Sequence, residues 1–357
     1  MIFRQLYDAT SSTYTYLLAD EASREALLID PVFEQFQRDL AMLRELGLTL
    51  KLVADTHAHA DHITAAWLLK QKTGCKIAIS AAAGAENMDI ALQDGESFGV
   101  EGVTLIALAT PGHTNGCMSF VLADKSKVFT GDTLLIRGCG RSDFQQGNAA
   151  RLYHSITEQL FTLPADCAVF PAHDYNGRTQ STIGEEKAFN PRAGGEANEN
   201  DFVKYMNAMQ LPHPKKIDEA VPNNLRSGKP ESGELPPEPD WADLRISYAG
   251  VPEVEPVWVM HNQPSVTILD VREPDEVDET MKALDNAVFI PLSELRERVN
   301  EVPTNKPVVT LCRSGKRSAL AINILKEAGH DKVANIYGGI LHWNNSAVPQ
   351  SLKLDDS

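Results

Sequence analysis

The stretch that decides the fold of this chain is Leu52-Val53-Ala54-Asp55-Thr56-His57-Ala58-His59-Ala60-Asp61-His62. An apolar run typical of a buried strand leads here directly into three histidines and two aspartates. Two histidines one residue apart, followed by an Asp-His pair, cannot share one side of a helix, but a loop at a strand end can bring them together. The pattern predicts a metal site at the carboxyl edge of a β-strand.

Further ligand candidates follow other predicted strands, at residues 103–107, 128–130 and 168–170, and each lies near a Gly or Pro that suits a turn. They are His113, Asp132 and His173. Residue types alone leave two chemistries open. The whole set could hold two metals for a hydrolase that activates water. Alternatively, His57, His113 and Asp132 could bind a single Fe(II) through one face and leave positions open for substrate and O₂.

The length of 357 residues allows two domains with separate cores. Residues 227–242 are rich in Pro, Gly and Glu and predict a linker between a domain at 1–226 and a second at 243–357. In the second domain, predicted strands at 267–271, 287–290, 308–311 and 333–336 alternate with helices, which indicates an α/β fold with a parallel sheet. In the first domain, we also expect a helix over residues 63–71.

A second chemical motif, Cys312-Arg313-Ser314-Gly315-Lys316-Arg317-Ser318, follows a predicted buried strand and begins a helix. This strand–loop–helix arrangement points backbone N–H groups at an anion. Together with Arg313, Lys316 and Arg317, it should stabilise Cys312 as a nucleophilic thiolate. A phosphatase loop is disfavoured, because Cys312 and Arg317 are one residue too close for the Cys-x5-Arg spacing.

Composition restricts the partners. The net charge of −16 argues against nucleic acid and against anionic membranes. No apolar stretch approaches the roughly 18–20 residues that span a bilayer, and the first residues lack a signal-peptide pattern. Five cysteines at irregular spacing favour a reducing compartment, so we expect a cytoplasmic protein. The sequence leaves a homo-oligomer open.

The histidine and aspartate motifs over roughly residues 1–225 resemble the metallo-β-lactamase superfamily, which implies an αββα β-sandwich. Within it, His57–Thr64, Pro111–Cys117, Leu134–Gln145, Pro171–Tyr175 and Asn190–Arg192 are similar to persulfide dioxygenases. That resemblance implies one Fe(II) held by His57, His113 and Asp132, and oxidation of glutathione persulfide by O₂ to sulfite and glutathione. It also implies that His59, Asp61, His62, His173 and Asp174 orient the ligands from behind.

The same resemblance implies that Arg141, Tyr175 and Arg192 hold the glutathione carboxylates, a role that suits the bidentate geometry of Arg. The alternative family is glyoxalase II, a binuclear zinc thioester hydrolase with similar metal motifs and a similar Gly-Cys-Gly-Arg run. It normally continues after that Arg with an aromatic, Glu-containing segment, and then a helical domain. This chain instead has Ser142-Asp143-Phe144-Gln145 and a different second domain.

The Cys312 loop, with Leu269–Glu273 and Tyr337–Trp343, resembles a single rhodanese domain with a central parallel sheet. The resemblance implies that Cys312 takes sulfur from a donor such as thiosulfate and passes it to an acceptor thiol, with Arg313, Lys316 and Arg317 binding the anionic donor. Glutathione as the acceptor would then supply the persulfide that the first domain oxidises. The other interpretation is a non-catalytic interaction or sulfur-sensing module, which the intact Cys312 disfavours.

Overall fold

A computed structural model of the chain describes residues 1–209, 212, 216–277, 284 and 287–347. The chain divides into two compact units, Met1–Leu235 and Pro236–Ser357. The division falls inside the segment 227–242 that the sequence predicts as a linker. The first residues of that segment nevertheless belong to the first unit, since Ser227 is buried and its carbonyl accepts a hydrogen bond from the Trp67 N–H.

The first unit is built on two six-stranded sheets, in the orders β1-β2-β3-β4-β5-β6 and β12-β11-β10-β9-β8-β7. β1, β2 and β3 pair antiparallel and β3 to β6 pair parallel, whereas in the second sheet only β10 and β11 are parallel. The strands are β1 Ile2–Asp8, β2 Thr13–Ala19, β3 Glu25–Ile29, β4 Thr49–Ala54, β5 Lys76–Ser80, β6 Ile90–Leu92, β7 Ser97–Val100, β8 Val103–Ala109, β9 Met118–Leu122, β10 Lys127–Gly131, β11 Ala168–Pro171 and β12 Ser181–Thr182.

The core between the two sheets follows from the alternation of side chains along each strand. On β2, Tyr16 and Leu18 face the second sheet, where they join Phe120, Phe129 and Phe170 in one buried cluster. Leu17, between them, joins a different cluster on the outer face, under the helices. Because both faces of the inner strands are covered, strands such as β3 and β9 are nearly continuous apolar runs.

Helices cover the outer face of each sheet. α1 and α2 contribute to the apolar cluster on the first sheet, and α3 and α5 to the cluster on the second, so the predicted αββα sandwich is confirmed. The helices are α1 Phe36–Glu45, α2 Ala66–Thr73, α3 Ala149–His154, α4 Ile183–Phe189, α5 Glu199–Ala208 and α6 Ile217–Asn224.

α2 begins three residues later than the sequence predicts, because the backbone groups of residues 63–65 form hydrogen bonds with residues 31–33 and not within a helix. The Phe33 N–H donates to the Ile63 carbonyl, the Ala65 N–H donates to the Pro31 carbonyl, and Val32 and Thr64 form an isolated bridge. Gly74 then ends the helix with a left-handed backbone conformation. The apolar residues of the segment 63–71 are therefore spaced as buried residues throughout, but only those from Ala66 onward lie in a helix.

The second unit has a single six-stranded sheet in the order β13-β14-β18-β17-β15-β16. All neighbouring strands are parallel except β13 and β14, so the predicted parallel sheet is present and an antiparallel edge strand makes it mixed. The strands are β13 Arg245–Ile246, β14 Pro252–Val254, β15 Thr267–Asp270, β16 Val288–Phe289, β17 Val308–Leu311 and β18 Val333–Ile336.

Both faces of this sheet are covered. Val309 and Leu311 of β17 pack on the side of α7 and α10, whereas Val308 and Cys312 pack on the side of α8 and α9. The helices are α7 Pro256–Asn262, α8 Leu292–Arg298, α9 Lys316–Glu327 and α10 Gly339–Ala347. Within the described residues of the chain, no helix is long and apolar enough to cross a membrane.

Candidate metal centre and thiol site

Four strand ends of the sandwich supply the metal-ligand candidates. His57 follows β4, His113 follows β8, Asp132 follows β10 and His173 follows β11. The histidines are buried, with His57 and His173 almost completely so. Since these strands end at one edge of the two packed sheets, residues separated by more than a hundred positions converge there.

Two groups of ligand atoms form at this edge, and in each group the atoms lie within 4.8 Å of one another. The first is His57, His113 and Asp132, and the second is His59, Asp61 and His173. Asp132 lies between them. One of its carboxylate oxygens is 3.5 Å from His113 Nε2, and the other is 3.6 Å from His173 Nε2.

Hydrogen bonds behind the first group set the tautomers of both histidines. The Arg141 carbonyl lies 2.6 Å from His113 Nδ1 and can only accept, so Nδ1 carries the proton and Nε2 is free to bind a metal. Thr56 Oγ1 donates to Asp30 at 2.9 Å, which leaves the same oxygen to accept from His57 Nδ1 at 3.0 Å. His57 therefore also presents Nε2 as a ligand.

The donor set fits a divalent cation. Among the described residues, buried atoms without a hydrogen-bond partner include Asp132 Oδ1, His59 Nδ1 and His62 Nε2. Buried polar atoms are normally satisfied, so an exception of this kind needs an explanation. Two imidazoles and one carboxylate facing a common point match a transition metal such as iron or zinc better than Mg²⁺ or Ca²⁺.

Protonation differs between the two groups. Burial and neighbouring histidines hold the pKa of His57 well below its ordinary value, so this imidazole is neutral and ready to ligate. At His59 burial acts in the same direction, but the Asp30 carboxylate, 3.2 Å from Nε2, outweighs it and raises the pKa to about 9. Burial opposes the charge of Asp61, yet His173 and His62 hold its pKa well below the usual range. A cation in the second group must displace a proton from His59.

Gly140 determines how closely the loop after Asp132 approaches the site. A Cβ at this position would lie 2.4 Å from the Asp132 carbonyl and 2.9 Å from His113 Nδ1. Only glycine therefore lets the Arg141 carbonyl reach His113. The close approach of Gly140 to Asp132 and His113, two metal-ligand candidates, explains why the third residue of the Gly-Cys-Gly-Arg run is a glycine.

Several residues that support the ligands were missed by the sequence analysis. Thr13 Oγ1 lies 3.3 Å from each of Asp61 Oδ2, His62 Nδ1 and His173 Nδ1. Asp30 holds both Thr56 and His59. Asp30 directly follows an apolar strand, as Asp132 does, so the same sequence pattern could have identified it. Thr13 has no comparable sequence signal.

The residues expected to bind glutathione lie around this edge, but their side chains already have partners. Arg141 pairs with both oxygens of Asp143 at 2.7 Å, and its guanidinium lies 4.1 Å from the Phe144 ring centroid. Arg192 donates to the Cys139 carbonyl at 2.7 Å, directly before Gly140. Tyr175 is 71% exposed and stacks on His173.

Asp174 differs in its contacts from the other residues expected to orient the metal ligands. Its carboxylate accepts from the N–H groups of Asn176 and Arg178 and from the Arg178 side chain, all at 2.8–2.9 Å. It therefore organises the turn that follows His173. His62, in contrast, contacts Asp61 at 3.2 Å.

In the second unit, Cys312 lies at the end of β17, beneath the first turn of α9. Its side chain is almost fully buried. The Ser318 hydroxyl is 3.2 Å from Cys312 Sγ and 2.7 Å from Asn335 Oδ1, and its single hydrogen is shared between these two acceptors. Burial opposes ionisation, but the Ser318 hydroxyl and the backbone N–H groups of Ser318, Ser314 and Arg317 hold the pKa of the thiol below its ordinary value.

The three cations of the thiol loop are not equivalent. Arg313 and Lys316 are exposed. Arg317 forms a two-pronged ion pair with Glu276, which lowers the pKa of that carboxyl to about 2. The charge of Arg317 is thus largely compensated within the fold, and an incoming anion meets chiefly Arg313 and Lys316.

Comparison with known proteins agrees with both sites. Residues 9–173 match the Metallo-beta-lactamase superfamily, and residues 253–346 match the Rhodanese-like domain. Persulfide dioxygenase ETHE1, mitochondrial, of Bos taurus is 52% identical over 229 residues, which are 64% of this chain and 89% of that relative. A hydroxyacylglutathione hydrolase of Methylococcus capsulatus is 33% identical over 249 residues, which are 68% of this chain and 90% of the relative.

Among solved structures, the crystal structure of ETHE1 from Myxococcus xanthus superimposes with a TM-score of 0.62 at 51% identity. It covers 64% of this chain and 100% of its own. The higher identity lies with the persulfide dioxygenases, and the rhodanese-like match accounts for most of the second unit. This chain belongs to the persulfide dioxygenase family, with a rhodanese-like domain joined to the metallo-β-lactamase fold.

Proposed function

We propose that the first unit uses Fe(II) and O₂ to oxidise glutathione persulfide to sulfite and glutathione. We further propose that the second unit transfers sulfur from thiosulfate to glutathione through a persulfide on Cys312. The observation that carries the first proposal is the His57, His113 and Asp132 group, with its ligand atoms within 4.8 Å of one another. All five cysteines are free and buried, which supports a reducing compartment such as the cytoplasm.

Two histidines and one carboxylate on one face are the ligand set of many Fe(II) oxygenases, and such an iron supplies binding positions for O₂ and for a substrate sulfur. The chain's own contribution is to present these ligands in the correct form. The Arg141 carbonyl and Thr56 keep the Nδ1 proton on each histidine, so that Nε2 is available. Asp132 supplies the single negative charge of the set.

The overall oxidation is balanced by one O₂ and one water for each persulfide. The outer sulfur leaves as sulfite, the inner sulfur remains as the glutathione thiol, and the four electrons lost by sulfur reduce the two oxygen atoms. Holding the tripeptide is the proposed task of Arg141, Arg192 and Tyr175. The two guanidiniums suit its carboxylates, and Tyr175 stacks on His173 beside the ligand groups.

In the proposed sulfur transfer, the Cys312 thiolate attacks the outer sulfur of thiosulfate. The S–S bond of the donor breaks, and sulfite leaves with the electron pair. A glutathione thiolate then attacks the sulfur on Cys312, and glutathione persulfide leaves as the free thiolate of Cys312 returns. The exposed Arg313 and Lys316 attract the anionic donor, while Arg317 holds the loop through Glu276.

A second candidate function is a binuclear zinc hydrolase of glutathione thioesters, with the rhodanese domain as an appended module. The observation that favours it is the second ligand group, His59, Asp61 and His173, which is as compact as the first. The hydroxyacylglutathione hydrolase relative points in the same direction at lower identity. The metal content of the purified protein separates the two functions.

We expect about one iron per chain and no second metal, because one facial ligand set binds one Fe(II). Replacing His57, His113 or Asp132 with Ala should abolish O₂ uptake with glutathione persulfide and lower the iron content. His59→Ala and His62→Ala should retain more iron. Elemental analysis and an oxygen electrode provide both measurements. Two zinc ions per chain, or equal metal loss in all five variants, would favour the hydrolase.

Arg141→Ala, Arg192→Ala and Tyr175→Phe should chiefly raise KM for glutathione persulfide. Loss of a charge-assisted contact at the Arg positions costs about 1.5–3 kcal/mol, or roughly ten- to a hundred-fold. Steady-state O₂ uptake measures KM and kcat, and Arg4→Ala, at an exposed Arg of the same unit that donates to the Phe3 carbonyl, is the matched control. Unchanged KM in all three variants places the tripeptide elsewhere.

The thiolate of Cys312 should persist to a lower pH than that of free cysteine in the same buffer, because its folded-state pKa is lowered. The rate of sulfur transfer from thiosulfate should therefore fall as the pH drops through that lowered value. The difference in ultraviolet thiolate absorbance between wild type and Cys312→Ser isolates this titration. The other four thiols have pKa values raised by burial and do not contribute at that pH. A midpoint above that of free cysteine would contradict the assignment.

The two activities should be chemically separable but joined by their metabolite. Cys312→Ser should eliminate sulfur transfer and leave the oxidation of added glutathione persulfide nearly intact, whereas Asp132→Ala should do the reverse. Thiosulfate plus glutathione should drive O₂ uptake in the wild type without added persulfide. If Cys312→Ser still consumes O₂ from that pair of substrates, the rhodanese domain is not the source of the persulfide.

A further inference from the structure

The loop that carries His57, His59, Asp61 and His62 has little regular secondary structure, so its backbone groups need other partners. One side chain far away in sequence supplies several of them. Asn224, the last residue of α6, is 2% exposed and lies against this loop.

Asn224 uses its whole side-chain amide on the loop. Nδ2 donates to the carbonyls of His59 at 2.9 Å and His62 at 2.8 Å, and Oδ1 accepts from the Thr64 N–H at 2.8 Å. Two carbonyls face the nitrogen and one N–H faces the oxygen, so the orientation of the amide is determined. A single side chain thereby joins residues 59, 62 and 64.

The segment after Asn224 closes on the same region. The Trp67 N–H donates to the Ser227 carbonyl at 3.0 Å, and a Cβ on Gly228 would lie 2.1 Å from the Thr64 carbonyl. Asn224 and Gly228 therefore pack against the ligand loop, and Ser227 bonds the start of α2. We call residues 224–228 the floor of the ligand loop. None of these contacts involves an atom that would bind a metal.

We propose that Asn224 is a positioning residue for the metal centre: by holding the backbone of residues 59, 62 and 64, it fixes the path of the loop that carries His57 before any metal arrives. This inference rests on the proposed metal function of the site. Its physical basis is that a loop fixed in advance loses less conformational freedom when the metal binds. Without Asn224, the carbonyls of His59 and His62 lose these donors, and the loop can rearrange to find others.

Two substitutions test this role in different ways. Asn224→Asp keeps the shape and the acceptor for Thr64, but removes both donors and sets a carboxylate against two carbonyl oxygens. Asn224→Ala removes the side chain. The matched control is Ser227→Ala, which removes a buried hydroxyl that donates to the Glu86 carbonyl at 2.6 Å, outside the ligand loop, and keeps the backbone carbonyl that bonds Trp67.

The measurements use the full-length chain with Fe(II), and in parallel with Zn²⁺, under anaerobic conditions. Metal affinity is determined by competition with a chromogenic chelator, and Tm is recorded for the apo and metal-loaded forms. Both Asn224 variants should bind metal about ten-fold more weakly, at the lower end of the range for partners of metal ligands, because Asn224 holds the loop backbone and not a ligand side chain. They should also show a smaller rise in Tm on metal binding, whereas Ser227→Ala should match the wild type in both.

Unchanged affinity in both Asn224 variants would overturn the proposal. So would an equal loss in Ser227→Ala, or failure of both Asn224 variants to fold, since Asn224 would then support general packing and not the loop. A wild-type chain that binds Zn²⁺ but not Fe(II) would refute the proposed dioxygenase, while the Zn²⁺ arm would still decide the role of Asn224. A wild-type chain that binds neither metal would overturn both.

Discussion

The metal-ligand edge of the first unit depends on one carboxylate, which has one oxygen buried without a hydrogen-bond partner. Asp132 lies at the end of a central strand, 3.5 Å from His113 on one side and 3.6 Å from His173 on the other. A buried carboxylate is costly unless positive charge or strong donors compensate it. Three other strand ends deliver His57, His113 and His173 to its surroundings, and Gly140 allows the next loop to pass close by. The sandwich is the framework that brings these groups to one edge.

The two units favour groups of opposite charge: a cation in the first and a thiolate anion in the second. Each places its reactive group directly after a buried strand, where the backbone can change direction. In the first unit, imidazoles and a carboxylate converge as candidate ligands for a cation, and the Arg141 carbonyl holds His113 in place. In the second, N–H groups at the start of α9 and the Ser318 hydroxyl converge on the sulfur of Cys312 and favour an anion.

Sequence reasoning predicted the strand-end ligands and the thiol loop because these patterns are local. His57, His113 and Asp132 each follow an apolar run, and Cys312 precedes a helix. It did not predict contacts that depend on the tertiary fold. Thr13 and Asn224 reach the ligand loop from positions with no distinguishing pattern. The spacing of Arg317 within its motif said nothing of Glu276, which neutralises it from a different element. The late start of α2 has the same origin, since residues 63–65 bond to residues 31–33.

The contacts of residues 224–228 limit where recombination can join the first unit to another domain. A first unit cut immediately after α6 would lose Ser227, whose carbonyl bonds α2, and Gly228, which packs against Thr64 of the ligand loop. The compact first unit extends to Leu235, so a fusion partner can be joined without disturbance only beyond this floor. The acidic, Pro-rich residues that follow tolerate changes in length, since few of their groups are buried. A change of length at that junction therefore leaves the contacts of the ligand loop intact, whereas a cut a few residues earlier removes them.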